Sequence, residues 1–375
     1  MNASDTIAGL PRLAVYGSSA LILAGAGLFV FGAAGEPQRI WANLLVGSYG
    51  MLGVGLGAAV WVALFNVTGA RWSEVLRPVT ERLTLLLPVG AIGVALVLIA
   101  APSLYPWTKE PSETSSAFQA LWLSRPFFLL RSFTYLALWL GLAFMLVRAS
   151  RRKDDNRVRI SAVFLVVFAI TFWLASVDWI MSLEPKWSST IFGVYHFAGM
   201  VLAALAGIII VAIWFKYPHP LSQRARGGLP GGPLTNNHLR DLGTLLFSFS
   251  SFWAYIWFCQ YLLIWYVNNP EEAVYFVRRQ QDAWQPLFIA NVVLNWGMPF
   301  VVLLFRPAKE SPQVLMIVAG IVLVGRALDL YLMVLPAAVG NGPVFTDAGL
   351  FAATIGLAAL IVVRPFPLEA GILKL

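Results

Sequence analysis

Six polar side chains interrupt the long apolar runs of this sequence, and each lies at a similar distance from one end of its run. They are Arg131, Asp178, His196, Gln260, Asn291 and Asp329. At the rise of an α-helix, Arg131, Asp178, His196 and Asp329 would lie roughly 9–10 Å inside the helix end, with Gln260 and Asn291 close to that level. Ionisable groups at such depth in a membrane are costly and usually functional.

This layer combines groups that exchange protons with groups that hold a polar headgroup. Histidine titrates near neutrality, and burial can raise the pKa of a carboxylate toward that range. A carboxylate, an imidazole and a guanidinium together suit a hydroxyl or carbonyl headgroup that gains and loses protons, such as that of a quinol. We therefore predict Asp178 and His196 as the catalytic, proton-accepting pair, and the whole layer as the quinol-binding site.

A second polar set follows one face of a single predicted helix. Its members are His238, Asp241, Thr244, Ser248, Ser251 and Tyr255, separated by steps of three or four residues. Such steps place side chains on one helix face. Hydroxyls with bound water can relay protons, which predicts a proton-conducting inner half-channel. Ser and Thr also hydrogen-bond between helices in membranes, and that structural interpretation stays open.

Structural interpretations stay open for the layer as well. Arg131 can pair with Asp178 simply to hold two helices together. Arg326 and Asp329, three residues apart, can pair on one helix face. His196 without Asp178 would be a hydrogen-bonded interior histidine.

The histidines and cysteines do not favour a metal or haem site. The chain has one cysteine, Cys259, and three histidines, and it has no attachment motif for a c-type haem. A b-type haem needs two facing histidines, but His196 and His238 fall near opposite ends of their predicted helices. We expect no bound metal and no covalently held cofactor.

The elements that must position these residues are ten apolar runs of spanning length. They cover roughly 13–33, 41–66, 82–104, 126–148, 160–183, 189–215, 240–267, 285–305, 313–335 and 347–364. Only 12% of the residues are charged, against about 25% in a soluble domain. The sequence predicts an all-α, polytopic transmembrane helix bundle, with residues 1–375 as a single membrane domain. Gly53 and Gly57, and Gly199, Ala203 and Gly207, recur at four-residue spacing and indicate close helix packing.

The basic residues predict the orientation of this bundle. Of the 26 Lys and Arg residues, 18 fall in the two termini and the loops after spans 2, 4, 6 and 8. This bias places both termini in the cytoplasm and the polar layer near the outer face. The net charge of +8 then reflects loops beside anionic lipid rather than a nucleic-acid partner. The longest loop, 216–239, is rich in Gly and Pro and is typical of a flexible connector.

Two long and unusual segments resemble a known family. They are SVDWIMSLEPKWSSTIFGVYHFAG at 176–199, and NHLRDLGTLLF at 237–247 followed by FWAYIWFCQYLLIWY at 252–266. Both resemble the NrfD/PsrC-like quinol-interacting membrane subunits, and in particular the ActF-type subunits of bacterial alternative complex III, a quinol:cytochrome c oxidoreductase. The resemblance implies two four-helix bundles, spans 2–5 within 41–183 and spans 6–9 within 189–336, flanked by spans 1 and 10.

The resemblance also implies a function, a location and partners. The chain would belong to a respiratory complex of the bacterial inner membrane that oxidises menaquinol or ubiquinol and passes electrons to a cytochrome c or an oxidase. Its partners would be a paralogous ActC-type membrane subunit, an iron–sulfur subunit, c-type cytochrome subunits and a terminal oxidase. Haem and iron–sulfur centres would lie on those partners, since the loops of this chain are too short to hold a soluble domain.

Two other classes of function stay open. A stand-alone secondary transporter would be expected to show a matched pair of broken helices, and the runs show no clear Gly/Pro interruptions in corresponding positions. A purely structural scaffold subunit of the same complex needs no site at all. Copurification of haem-bearing partners separates the transporter from the other two functions.

Overall fold

The computed structural model describes residues 3–32, 36–109, 117–216, 234–339 and 342–363, and almost all of them are helical. No strand occurs within these ranges. The ten long helices are α1 (Ala3–Gly32), α2 (Pro37–Thr68), α3 (Arg77–Ala100), α4 (Arg125–Arg152), α5 (Arg157–Leu183), α6 (Phe192–Lys216), α7 (Asn236–Val267), α8 (Asp282–Leu303), α9 (Pro312–Ala338) and α10 (Asp347–Val363). The prediction of an all-α, polytopic bundle is confirmed.

Eight of these helices, α2 to α9, are long and apolar enough to cross a membrane. The first and last predicted spans correspond to shorter apolar helices, Ala14–Leu28 within α1 and Asp347–Val363. These two helices pack against each other beside the rest. A Cβ added to Gly25 would lie 2.4 Å from the carbonyl oxygen of Gly349, so only glycine permits this approach.

Local sequence signals explain where several helices begin. Proline occupies the first turn of α2, α3, α4 and α9, where its missing N–H has no intrahelical partner to lose. α7, the least apolar of the predicted spans, begins with a reciprocal capping box between Thr235 and His238. Most observed ends differ from the predicted ones by a few residues, as at α2, which begins at Pro37, but α1 begins at Ala3, ten residues before the predicted start.

The helices divide into two four-helix bundles. In the first, α2 packs against α3, α4 and α5; in the second, α6 and α8 each pack against α7 and α9. α2 and α6 meet at the centre, and 72% of the apolar window of each is buried, more than in any other span. Small residues permit this contact, because a Cβ on Gly57 would lie 2.6 Å from Cβ of Ala204.

Two short helices lie between the long ones at the end of the molecule that carries the polar layer. Ala117–Trp122 precedes α4, and Pro270–Gln280 connects α7 to α8. The second is amphipathic and buries Tyr275, Phe276 and Arg279. We call this end the layer end. The opposite end, where α4 finishes and α5 begins among the basic residues 148–159, is the basic end. Most of the predicted Gly/Pro-rich connector, 217–233, lies outside the described residues.

Candidate functional site

The first bundle surrounds Asp178 with hydrogen-bond donors. The carboxylate is fully buried and accepts from Arg131 Nε at 3.1 Å and Nη2 at 2.9 Å. It also accepts from Trp122 Nε1 at 2.9 Å and from the Tyr135 hydroxyl at 3.1 Å. Arg131 and Tyr135 are one helical turn apart on α4, so a single helix face supplies three of the four bonds. Both carboxylate oxygens are therefore occupied.

Arg131 is held just as completely. Its Nη1 donates to the carbonyl oxygen of Trp122 at 2.9 Å. Its guanidinium lies 3.9 Å from the centre of the Trp122 ring and 4.4 Å from that of Phe127, within range of a cation–π interaction. The expected pairing of Arg131 with Asp178 is present. It fixes α4, α5 and the short helix Ala117–Trp122 together, which is the arrangement of a structural ion pair.

His196 lies between the two bundles rather than beside Asp178. Its Nδ1 is 3.1 Å from the hydroxyl of Tyr49 on α2, and its Nε2 is 2.8 Å from the sulfur of Met333 on α9. A thioether sulfur only accepts, which favours a proton on Nε2 and a tyrosine hydroxyl that donates to Nδ1. No hydrogen bond joins His196 to Asp178 in the described part of the chain. The predicted catalytic pair is therefore not assembled here, and His196 has the contacts of a hydrogen-bonded interior histidine.

The second bundle holds the other carboxylate of the layer, Asp329. Its Oδ1 accepts from Asn291 Nδ2 at 2.8 Å and from the hydroxyl of Tyr195, a very short contact. Arg326 Nη2 lies 2.7 Å from Oδ2, as the three-residue spacing predicts. That contact lacks the direction of a hydrogen bond, since Oδ2 has no hydrogen-bond partner in the described structure. One oxygen of Asp329 is thus held only by an ion pair.

A helix irregularity extends this network into the bundle. Residues Val293–Gly297 of α8 form a π-helical turn, a feature found often at functional sites. Asn295 lies in that turn, and its Nδ2 donates to Asn291 Oδ1 at 2.8 Å. Its backbone carbonyl accepts from the hydroxyl of Ser250 on α7 at 2.5 Å. A polar chain therefore runs from α7 through α8 to Asp329.

Buried polar atoms without partners concentrate around this chain. Within the described residues, five such side-chain atoms belong to α7, α8 and α9: Ser251 Oγ, Trp253 Nε1, Asn295 Oδ1, Arg326 Nη1 and Asp329 Oδ2. A buried polar group without a partner costs about 1–3 kcal/mol, and ordered water is a common partner in native proteins. The five atoms include donors and acceptors, which is the mixture that water molecules satisfy.

A pocket opens beside Asp329 at the layer end. Its space is about 280 Å³ when its mouth is counted, and the enclosed part has room for roughly a single water molecule. Three residues of the predicted layer, Gln260, Asn291 and Asp329, line it together. Aromatic rings form most of the remaining wall: Tyr195, Trp257, Tyr275, Phe276 and Phe288. The layer therefore forms two separate centres, one in each bundle, with His196 between them.

Arg279 forms one wall of this pocket and was not singled out from the sequence. Pro336 has no N–H, so the carbonyl of Leu332, one turn earlier in α9, has no helical donor. Arg279 Nε donates to that carbonyl at 2.6 Å, and Nη2 donates to the carbonyl of Met333 at 3.0 Å and to Glu184 at 2.8 Å. The sequence signal for this contact was a proline near the end of an apolar run, which leaves a carbonyl without a helical donor, together with an arginine on a nearby amphipathic segment.

The predicted hydroxyl stripe on α7 faces away from the interior. Thr244 and Ser248 are exposed and donate to carbonyls of their own helix, and the side chain of Tyr255 is 63% exposed. His238 caps its own helix, and Asp241 lies 3.7 Å from its neighbour Arg240. Ser251 differs from these residues, because its hydroxyl is buried and has no hydrogen-bond partner within the described residues. The proton-conducting role of the stripe stays a prediction.

The tyrosines and tryptophans that donate to the layer were also missed. Tyr49, Tyr135 and Tyr195 each lie in an apolar run, where a hydroxyl needs a partner, and that requirement was the only sequence signal.

No three His, Cys, Asp or Glu side chains of the described ranges lie together as metal ligands do. The chain matches no protein-family model and no curated protein sequence.

Proposed function

We propose that this chain is an integral membrane subunit of a respiratory quinol:cytochrome c, or quinol:oxidase, oxidoreductase complex, and that its second bundle handles protons at Asp329. The observation that carries the proposal is a buried carboxylate with one oxygen free of directed hydrogen bonds. The same residue lines a pocket with Gln260 and Asn291, and several buried polar atoms of α7, α8 and α9 have no hydrogen-bond partner within the described residues. The resemblance of segments 176–199 and 237–266 to NrfD/PsrC-like subunits supports the wider assignment.

The proton role follows from the chemistry of the groups around Asp329. Tyr195 and Asn291 fix one carboxylate oxygen, and Arg326 balances the charge. Asp329 can exchange a proton with water in the adjoining pocket, which Gln260 also lines. The unpaired atoms of Ser251 and Asn295 continue the path toward the middle of the bundle. In this proposal Asp329 replaces Asp178 as the proton acceptor, and Asp178 acts as a structural anchor.

Binding of a quinol headgroup is the second candidate, favoured by the aromatic wall of the same pocket. Asp329 and the side-chain amides of Asn291 and Gln260 would accept from or donate to the ring oxygens, with Trp257, Phe276 and Phe288 around the ring. The enclosed space holds roughly one water molecule, so the side chains of Phe276 and Phe288 would have to move to admit a ring. Water transfer needs no such movement, which is why the proton role comes first.

The proposed setting is the bacterial inner membrane, with the layer end outward and both termini in the cytoplasm. The lysine and arginine bias supports this orientation. Partners would be a paralogous membrane subunit, an iron–sulfur subunit, c-type cytochromes and a terminal oxidase, which would carry the redox centres. The single cysteine and short loops of this chain support their placement on other polypeptides.

The test compares two matched substitutions, Asp329→Asn and Asp178→Asn, in protein purified mildly from its native membrane. Haem absorption reports whether the complex assembles, and quinol–cytochrome c activity with proton uptake reports its function. We expect Asp329→Asn to keep the haem bands and to lose most activity. We expect Asp178→Asn to lower the yield of complex while the complex that remains keeps its activity per haem.

Each other outcome removes part of the proposal. Full activity in Asp329→Asn would leave this chain as a structural subunit. Activity lost only in Asp178→Asn, at normal yield, would return the proton role to the first bundle. Wild-type protein without haem bands would contradict the complex altogether and favour a transporter.

A further inference from the structure

A second pocket lies at the basic end of the first bundle, far from the layer. Its space is about 500 Å³ when its mouth is counted, and it lies where the end of α2, the following turn, and the starts of α3 and α5 converge. Its lining residues are Phe65, Asn66, Gly69, Ala70, Glu74, Arg77 and Arg157. Nothing in the proposed function uses this pocket.

Two guanidinium groups converge in it without an acidic partner. Neither Arg77 nor Arg157 forms an ion pair within the described ranges, whereas Arg131 and Arg279 do. Arg77 Nη2 donates to Asn66 Oδ1 at 3.3 Å, and Asn66 Nδ2 donates in turn to Ser161 Oγ at 3.2 Å. Asn66 is only 5% exposed, so a buried amide holds Arg77 in place. The remaining nitrogens of Arg77 are available to a ligand.

The backbone around the pocket also favours an anion. Arg157 is the first residue of α5, so the positive end of this helix dipole adds to the charge of its guanidinium, although the Arg157 amide already donates to the carbonyl of Asp154 at 3.0 Å. The facing end of α2 is closed by its own backbone. Gly69 takes a left-handed conformation, with φ at 63°, and the amides of Gly69 and Ala70 donate to the carbonyl of Phe65. The start of α5 therefore adds positive charge beside the pocket, while the end of α2 adds no negative charge from an unpaired Phe65 carbonyl.

We propose that this pocket binds the phosphodiester of a phospholipid headgroup at the basic face of the membrane. Arginine pairs well with phosphate through charged hydrogen bonds, and basic pockets between helices at this face recognise such headgroups. Glu74 is exposed and lines the same pocket, and it forms no ion pair with either arginine within the described ranges. This arrangement suits a headgroup with an ammonium or hydroxyl beyond the phosphate, namely phosphoethanolamine or phosphoglycerol, better than a bare anion.

The experiment measures the phospholipid retained by the purified protein, with its partners, through graded detergent washing. Arg77→Gln/Arg157→Gln is compared with Arg152→Gln/Arg159→Gln, a control pair of exposed arginines at the same end. Mass spectrometry counts lipid per protein. Since each charged contact to phosphate is worth about tenfold in affinity, the pocket pair should retain at least about tenfold less tightly bound lipid. The control pair should match the wild type.

Three results would overturn the proposal. The first is equal lipid retention in the pocket pair and the wild type. The second is equal loss in both pairs, which would mean attraction by general charge. The third is a rise in the unfolding temperature of washed protein with inorganic phosphate as large as that with a short-chain phospholipid, which would identify a free-phosphate site.

A single substitution at the rim covers the case in which the pocket pair does not fold. Glu74→Gln removes an exposed carboxylate and leaves both arginines in place. We expect it to retain as much total lipid as the wild type and to shift the bound fraction from phosphatidylethanolamine toward phosphatidylglycerol. An unchanged total with an unchanged ratio would contradict the assigned role of Glu74 and with it the proposed headgroup.

Discussion

Asp178 and Asp329 occupy corresponding places in the two bundles, in α5 and α9, and both are buried to 1% exposure or less. Their surroundings differ. Asp178 receives four directed hydrogen bonds, two of them from its own arginine. Asp329 receives two directed bonds, both on Oδ1, and its arginine contacts Oδ2 without a hydrogen bond.

This difference shows that burial alone does not determine how many hydrogen bonds a carboxylate receives. A carboxylate that receives donors on both oxygens holds together the helices that supply those donors. A carboxylate with one oxygen held only by an ion pair, near buried polar atoms without partners, bears a penalty that the fold did not remove, and such penalties are typical of functional sites. The predictions that follow test this contrast, from the largest expected effect to the smallest.

Removal of Arg131 should have the largest effect. Arg131→Ala leaves Asp178 buried without a counter-charge, which costs about 3–5 kcal/mol. Thermal unfolding of the purified protein and its yield from the membrane would measure the loss. Arg131→Lys is the control, because it keeps the charge and loses the paired geometry, so it should fall between alanine and wild type. Wild-type stability in Arg131→Ala would contradict the anchoring role of the first bundle.

Arg279 should matter next, because it satisfies the carbonyl that Pro336 leaves without a donor. Arg279→Ala should lower the free energy of unfolding by about 3 kcal/mol, the upper range for hydrogen bonds to a charged group. Pro336→Ala restores a helical N–H to the carbonyl of Leu332, so the double variant should lose less than the sum of the two single changes. A double-mutant cycle measures that coupling. Strict additivity would show that Arg279 does not compensate for Pro336.

Gly199 tests how tightly the second bundle holds Arg326. A Cβ at position 199 would lie 2.0 Å from Arg326 Nη2, so Gly199→Ala must displace the guanidinium from Asp329 and Trp253. We expect a loss of about 2 kcal/mol, typical of an overpacked interior. Gly53→Ala is the matched control, since its Cβ would meet nothing closer than Met200 Cγ at 3.7 Å. Equal stability of the two variants would contradict this packing.

The two tyrosines that donate to the carboxylates give the smallest and most direct comparison. Tyr135→Phe removes one of four donors from Asp178, and a cost of about 1 kcal/mol is expected. Tyr195→Phe removes one of two directed donors from Asp329 and should cost about 1.5 kcal/mol. Only Tyr195→Phe should also change quinol–cytochrome c activity. An activity change confined to Tyr135→Phe would reverse the roles assigned to the two bundles.

The sequence by itself determined the class of fold and the composition of the layer. Apolar runs of spanning length can only be helices in lipid, since every backbone polar group there must be satisfied within its own segment. Depth along a helix follows from residue number alone, so Arg131 could be matched with Asp178 and Arg326 with Asp329. Small residues at four-residue spacing in α2 and α6 likewise indicated close helix packing, without identifying the partner helix.

The tertiary structure alone decided which polar groups contact each other and how many hydrogen bonds each carboxylate oxygen receives. The rotation of each helix about its axis sets whether a side chain faces the interior or the lipid, and residue spacing does not determine it. That rotation turned Thr244, Ser248 and Tyr255 outward and placed His196 against Tyr49 and Met333 rather than Asp178. Residues from distant segments contribute to both centres. Trp122 donates to Asp178 in the first bundle, and Arg279 lines the pocket beside Asp329 in the second. Their approach depends on packing between helices, which no local pattern in the sequence records.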